Sequence, residues 1–122
     1  MRRLLRVFVV DDDPTARTLV DVWLTHAKHT VFPFASGGEV VQVLASSGLI
    51  KPDIVVTDLI MHPTVSGVDV ARAAKNRGIP VMIYTGQDLG LIPPRWQPWS
   101  LLKSGNRAMF MEKLNDFAHP SG

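Results

Sequence analysis

Residues 6–14 read Arg-Val-Phe-Val-Val-Asp-Asp-Asp-Pro, an unbroken apolar run that ends abruptly in three carboxylates. The continuous run over residues 7–10 predicts a strand that is buried on both faces, as in the centre of a parallel α/β sheet. Asp13 is a typical helix N-cap, and Pro14 suits the first position of the helix that follows. The two preceding carboxylates therefore lie at the carboxyl end of the strand, where α/β folds bind their ligands.

These two carboxylates, Asp11 and Asp12, are not explained by helix capping. Adjacent carboxylates repel one another, and the repulsion lowers stability unless a positive charge offsets it. A hard divalent cation would provide that charge, and Mg²⁺ is the first candidate because it prefers carboxylate oxygens. The alternative is a solvated acidic strand end that binds no metal.

The composition is that of one globular domain without a membrane segment. The chain has 122 residues, of which 46% are hydrophobic, so it can bury a single core. Its net charge is +2, and its basic residues are scattered, which argues against a nucleic-acid surface. No apolar run is long enough to span a bilayer. The absence of cysteine excludes disulfides and is compatible with the cytoplasm.

Strand and helix patterns alternate along the chain, which predicts a parallel sheet. Apolar runs predict further strands at 30–34, 52–58, 79–86 and 99–103, and helical periodicity predicts helices at 14–27, 37–47, 68–77 and 106–118. Residues 87–99 contain one glycine and three prolines, so any helix there is short or irregular. We expect a flavodoxin-like α/β domain, with strand order 2-1-3-4-5 and helices on both faces.

The predicted strands end in side chains that suit phosphoryl chemistry. Asp58, Thr85 and Lys103 each follow or end a strand, and they should meet Asp11 and Asp12 at one edge of the sheet. An aspartate can accept a phosphoryl group, while a metal and a lysine neutralise its charge and a hydroxyl donates to its oxygens. Asp58 is the best acceptor because it stands alone on its strand and precedes a loop.

Four motifs recur together in one protein family: Val-Val-Asp-Asp-Asp-Pro-Thr-Ala-Arg at 9–17, Asp-Leu-Ile-Met at 58–61, Tyr-Thr-Gly at 84–86 and Leu-Leu-Lys at 101–103. With them the chain resembles a receiver domain of two-component response regulators. The resemblance extends from about Leu5 to Phe117. It implies a single receiver domain over residues 1–122, with a core at about 5–118. The Thr-Gly pair and the irregular segment after it resemble a subset of receivers with a degraded fourth helix.

The resemblance implies a role for each of these residues. A Mg²⁺ site would be formed by Asp12 directly, Asp11 through water, Asp58, and the backbone carbonyl of Ile60. Asp58 would accept the phosphoryl group from a phosphohistidine on a histidine kinase or phosphotransfer protein. Thr85 and Lys103 would bind the phosphoryl oxygens. Such a domain is cytoplasmic, is not an enzyme beyond its own phosphorylation and dephosphorylation, and acts on other proteins rather than on nucleic acid or membranes. Because the chain ends directly after the last predicted helix, we expect output through protein contacts or through competition for phosphoryl groups.

The chain departs from the family pattern at three positions. His62 stands where the family usually has proline, and it lies in the loop beside the acceptor. Ser104 replaces a proline that is usually in the cis form. Ser100 occupies the place of the aromatic switch residue, so that switch is absent or is replaced by Trp96 or Trp99.

Two other functions are compatible with parts of the sequence. Residues 11–15 also match the Asp-x-Asp-x-Thr motif of haloacid-dehalogenase-like phosphatases, in which Asp11 would be the nucleophile and Asp13 the general acid. That alternative leaves Asp58 unexplained. The second alternative is a pseudo-receiver, a binding module that is never phosphorylated.

Overall fold

The computed structural model describes residues 3–46, 51–61 and 65–119. Five parallel strands form one sheet in the order β2-β1-β3-β4-β5, which confirms the predicted flavodoxin-like topology. The strands are β1 Arg6–Val10, β2 Thr30–Phe34, β3 Ile54–Thr57, β4 Val81–Thr85 and β5 Ser100–Leu102. The helices are α1 Pro14–His26, α2 Gly37–Ala45, α3 Gly67–Asn76 and α4 Arg107–Ala118. None of the helices in these ranges is long and apolar enough to cross a bilayer.

The central strand β1 is apolar throughout because helices cover both faces of the sheet. Phe8 and Val10 belong to a core layer with α2 and α3. Val7 and Val9 point to the opposite layer, which contains side chains of α1 and α4. In that second layer Trp23 packs against Phe110, with ring centroids 5.4 Å apart. Trp23 is therefore a core residue of this layer.

Local capping residues set the helix ends next to the strand termini. Asp13 accepts a hydrogen bond from the backbone N–H of Thr15, and Pro14 is the first residue of α1. Ser66 and Asp69 form a reciprocal capping box at the start of α3. Gly78 follows α3 with a φ of 69°, a left-handed conformation that glycine adopts without steric cost.

The segment between β4 and β5, which we call the β4–β5 connection (residues 86–99), contains no α-helix. It forms two short 3₁₀ turns, Leu89–Leu91 and Gln97–Trp99, in agreement with its proline content. Trp96 is only 3% exposed and packs into the core layer formed with α2 and α3. The connection is thus an ordered, tryptophan-anchored segment in place of a helix.

The contact between His29 and the chain start predicts a pH-dependent stability. Nδ1 of His29 accepts a hydrogen bond from the N–H of Leu5 at 3.0 Å, and burial lowers the pKa of His29 from its usual 6.5. Because the unfolded chain binds this proton more readily, the stability is present above pH 6.5 and is lost as the pH falls through the lower folded pKa. We expect a loss of about 1 kcal/mol in urea unfolding.

The replacement His29→Gln should remove this component of the pH dependence between pH 7 and 5. His26→Gln changes an exposed histidine at the end of α1, so it is the matched control and should keep the component. Equal slopes of stability against pH in wild type and His29→Gln would contradict the assignment.

Candidate functional site

The carboxyl ends of β1, β3, β4 and β5 lie at one edge of the sheet. Val10 pairs with Thr57, and Thr85 pairs with Leu102. The N–H of Asp58 donates to the carbonyl of Val10 at 3.0 Å. These ladders bring together side chains that are far apart in sequence, as expected for a parallel sheet.

Asp11 is the most buried charged residue of the site, with 5% of its surface exposed. Its Oδ1 accepts from the N–H of Asp13 at 2.9 Å. Its Oδ2 accepts from Nζ of Lys103, also at 2.9 Å, in an ion pair between residues 92 positions apart. Both carboxylate oxygens are therefore engaged, and a buried carboxylate requires such partners.

Asp58 lies beside this ion pair, at the end of β3. Its Oδ1 accepts from the N–H of Leu59 at 2.7 Å, and its Oδ2 is 3.4 Å from Nζ of Lys103. Burial raises the pKa of Asp58, and the neighbouring charge of Asp11 adds to that rise. Lys103, the Leu59 N–H and the Thr85 side chain oppose the rise without cancelling it. The charged form of Asp58 is thus held at a cost that a further cation would reduce.

Lys103 is shared between the two carboxylates. Burial by itself would lower the pKa of Lys103, but hydrogen bonding and charge from Asp11 and Asp58 outweigh burial, and the pKa is raised. The ammonium group also lies 5.9 Å from the ring centre of Tyr84. The lysine therefore stays protonated and is the local counter-charge in this structure.

Thr85 ends β4 and is fully buried. Its Oγ1 accepts a hydrogen bond from the N–H of Gln87 at 3.1 Å. The Thr85 side chain also favours the charged form of Asp58, which places it on the Asp58 side of the site. The Thr85 hydroxyl acts on Asp58 as a hydrogen-bond donor, which opposes the rise in the pKa of that carboxyl.

The three aspartates form a group that suits a hard metal ion. Asp11, Asp12 and Asp58 each offer one carboxylate oxygen, and these oxygens lie within 4.8 Å of one another. All-oxygen ligands and a concentrated negative charge are what Mg²⁺ prefers, with water completing its shell. The chemistry of the donor set therefore agrees with the expected metal. The role of the Ile60 carbonyl stays a prediction.

Two contributions to the site did not follow from the sequence patterns. A Cβ added to Gly67 would overlap the carbonyl oxygen of Asp58, so the start of α3 packs directly against the backbone of Asp58. Arg17 donates from α1 to the carbonyl of Asp11 at 2.7 Å. No sequence pattern linked Gly67 or Arg17 to the site, because both contacts depend on how the helices pack against the strand ends. His62 lies outside the described residues.

Comparison with known proteins identifies relatives of the chain. The family model for the response regulator receiver domain matches residues 7–89. The DNA-binding response regulator MtrA of Mycolicibacterium smegmatis is 32% identical over 83 residues, which are 67% of this chain and 35% of MtrA. The CAI-1 autoinducer sensor kinase/phosphatase CqsS of Vibrio cholerae is 27% identical in an alignment 118 residues long, which covers 89% of this chain and 17% of CqsS. The chain spans about a third or less of these relatives' length.

Solved structures agree with the sequence comparison. Response regulator TrrA of Thermotoga maritima, solved in complex with Mg²⁺-BeF, superposes with a TM-score of 0.78 at 23% identity, covering 96% of this chain and 99% of TrrA. Chemotaxis protein CheY4 of Vibrio cholerae superposes with a TM-score of 0.72 at 20% identity, covering 94% of this chain and 99% of CheY4. At these identities the superpositions establish the shared fold.

Proposed function

The chain belongs to the response regulator receiver family, and on that premise we propose that it accepts a phosphoryl group on Asp58 from the phosphohistidine of a partner protein. The observation that carries the proposal is the convergence of three carboxylates and one ammonium at one sheet edge. Asp58 lies within 3.4 Å of Lys103, and Asp11 and Asp12 lie close enough to share a cation with it.

The transfer is a substitution at phosphorus. A carboxylate oxygen of Asp58 forms the new O–P bond while the N–P bond of the phosphohistidine breaks, and the departing imidazole nitrogen takes up a proton. Water later attacks the phosphorus of the acyl phosphate, which restores Asp58 and releases inorganic phosphate. The protein contributes mainly position and charge.

Each neighbour of Asp58 has a part in this proposal. Lys103 would pair with a phosphoryl oxygen, and the Thr85 hydroxyl would donate to another. Asp11, Asp12, Asp58 and the Ile60 carbonyl would hold Mg²⁺, which, when bound, neutralises charge on the transferred group. Because Lys103 is paired with Asp11 in this structure, it would have to turn from Asp11 toward the phosphoryl group.

Asp11 is a poorer nucleophile than Asp58 in this arrangement, which weighs against a haloacid-dehalogenase-like phosphatase. Both oxygens of Asp11 accept strong hydrogen bonds, and its side chain is 7% exposed. The side chain of Asp58 is 16% exposed, at the end of its strand. An incoming phosphorus therefore has better access to Asp58.

The experiment that tests the function is intact-mass measurement after incubation with acetyl phosphate, with and without Mg²⁺. We expect one added phosphoryl group in the wild type with Mg²⁺, and none in Asp58→Asn. Asp116→Asn changes an exposed acidic residue on α4, so it is the matched control and should be phosphorylated as the wild type is. No adduct in the wild type under trapping conditions would favour the pseudo-receiver.

Metal binding gives a second, independent prediction. Mg²⁺ should stabilise the wild type by about 2.7 kcal/mol at a hundredfold excess over its dissociation constant, measured by thermal or urea unfolding. Asp12→Asn should abolish this response. Asp13→Asn removes the same charge at the neighbouring position, and the asparagine can still cap α1. This control variant should therefore retain the response to Mg²⁺. A wild-type stability that does not change with Mg²⁺ would contradict the metal site.

The partner and the location are part of the same proposal. The donor would be a histidine kinase or a histidine phosphotransfer protein in the cytoplasm, and the phosphorylated domain would act through contacts with other proteins. The supporting observation is family membership, because receivers exchange phosphoryl groups with such partners.

A further inference from the structure

A cavity of about 210 Å³ lies at the amino end of β4. The aspartates lie at the other edge of the sheet, where the strands end. Its wall is formed at the junction of α3 and β4 and in the β4–β5 connection, and it includes Lys75, Ile79, Val81, Arg95, Trp96 and Trp99. Val81 begins β4 and Thr85 ends it, so the cavity and the phosphoryl site are separated by about 13 Å of strand. The cavity is therefore distinct from the site described above.

The charged side chains in this wall are both positive. Nζ of Lys75 lies 5.9 Å from the centroid of the Trp96 ring, and the guanidinium carbon of Arg95 lies 5.2 Å from it. No carboxylate is among the described residues that line the cavity, and the ion pairs found in the described ranges involve neither cation. The cavity thus combines an aromatic wall with two cations that have no anionic partner there.

Hydrogen bonds hold the aromatic wall in place. Gln97 donates from Nε2 to the carbonyl of Ile92 at 2.8 Å, and Ser100 donates from Oγ to the carbonyl of Trp96 at 2.7 Å. The ring of Trp99 packs edge-on against Phe117, with centroids 5.4 Å apart. A ligand would therefore meet a preformed wall, which lowers the entropic cost of binding.

The surroundings favour a small ligand over a protein partner. The volume is below the ~300–1,000 Å³ of pockets for drug-sized molecules, so the cavity suits a fragment-sized compound. None of the large apolar side chains that are exposed in the described part of the chain lines the cavity. The one that lies in the β4–β5 connection is Leu91. A protein docking face would instead present a wide apolar patch around the cavity.

We propose that this cavity binds a small carboxylic acid with an aromatic or branched apolar body. The apolar body would lie against Trp99 and against the small part of Trp96 that the cavity exposes. The carboxylate would pair with Arg95 and Lys75. The guanidinium of Arg95 can donate two parallel hydrogen bonds to a carboxylate, which a neutral ligand would not receive with the same strength. This binding does not depend on phosphorylation of Asp58.

The test is titration with phenylacetate, phenylacetamide and phenethylamine, followed by the indole N–H signals of the ¹⁵N-labelled full chain. The chain has three tryptophans, and Trp23 packs in the opposite core layer, so it is an internal control. We expect saturable shifts of Trp96 and Trp99 with phenylacetate, with a dissociation constant on the order of 1 mM. The neutral amide and the amine should bind at least about tenfold more weakly.

Two variants test the charge requirement. Arg95→Gln and Lys75→Gln should each weaken phenylacetate binding by about tenfold. Arg72→Gln removes an exposed cation on α3 that pairs with Asp69 and does not line the cavity, so binding should be unchanged. Both replaced side chains are exposed, so we expect each variant to fold. Unaltered signals from the rest of the protein would show that it does.

Three results would overturn the proposal. They are the absence of saturable shifts at Trp96 and Trp99, equal affinity for phenylacetate and phenylacetamide, and unaltered affinity in both Arg95→Gln and Lys75→Gln. A fourth arm uses the peptide acetyl-Glu-Phe-Glu-amide. If that peptide bound with shifts spreading beyond the cavity while phenylacetate did not bind, the site would belong to a protein partner instead.

Discussion

Replacing Gly67 with alanine should lower the free energy of unfolding by at least about 3 kcal/mol, a large fraction of the stability of a domain this size. The added Cβ would overlap the carbonyl oxygen of Asp58 and would lie 2.8 Å from the Cα of Leu59. Both atoms are backbone, so no flexible side chain can move aside. The N–H of Gly67 also donates to the carbonyl of Leu59 at 2.7 Å, which keeps the two segments together.

Relief of this clash requires α3 or the segment that carries Asp58 to shift. We therefore expect Gly67→Ala to lower the melting temperature by roughly 10–15 °C and to slow phosphorylation of any folded fraction. Gly38→Ala is the matched control, because its Cβ would meet the Val65 side chain at 3.7 Å, an ordinary contact. It should be neutral or stabilising by up to about 1 kcal/mol. Equal melting temperatures for the two variants would contradict the close packing.

Replacing Lys103 with methionine should destabilise the metal-free protein by about 3 kcal/mol. The change removes the ammonium that lies 2.9 Å from Asp11 and 3.4 Å from Asp58. Asp11 would keep the N–H of Asp13 as a partner, but its buried carboxylate would lose the cation that pairs with it, next to two other carboxylates. The measurement is urea unfolding in the presence of a chelator.

Mg²⁺ should restore most of that loss, because the metal would replace the missing positive charge. The stabilisation by Mg²⁺ should therefore be larger in Lys103→Met than in the wild type. Arg3→Gln breaks a more exposed ion pair with Asp53, so it should cost less than about 1 kcal/mol and leave the Mg²⁺ response unchanged. If Lys103→Met and the wild type were equally stable in chelator, the ion pair with Asp11 would have no stabilising role.

The sequence predicted the sheet and its ligand edge because both depend on local signals. The continuous apolar run over residues 7–10 indicated a strand covered on both faces, and its side chains do point alternately into two core layers. The register of parallel strands then brought Asp11, Asp58 and Lys103 to one edge. To predict this convergence it was enough to locate the ends of the strands, which Asp, Pro and Gly residues indicate in the sequence.

The features that the sequence did not predict depend on tertiary distances. That the resting Lys103 lies closer to Asp11 than to Asp58 follows from side-chain geometry, which strand patterns do not specify. The proximity of Gly67 to Asp58 depends on the path of the loop into α3. In the β4–β5 connection, proline content predicted that any helix would be short or irregular. It did not predict that Trp96 would be buried against α3 and line a cavity.

The most direct test of the central claim is to locate the phosphorylated side chain. The protein would be incubated with acetyl phosphate and Mg²⁺ and then reduced with borohydride, which converts an aspartyl phosphate to homoserine. Peptide sequencing by tandem mass spectrometry would then identify the residue. We predict homoserine at position 58 alone. Homoserine at position 11 would contradict the account and favour a phosphatase-like nucleophile, and an unmodified chain would show that the site does not accept a phosphoryl group.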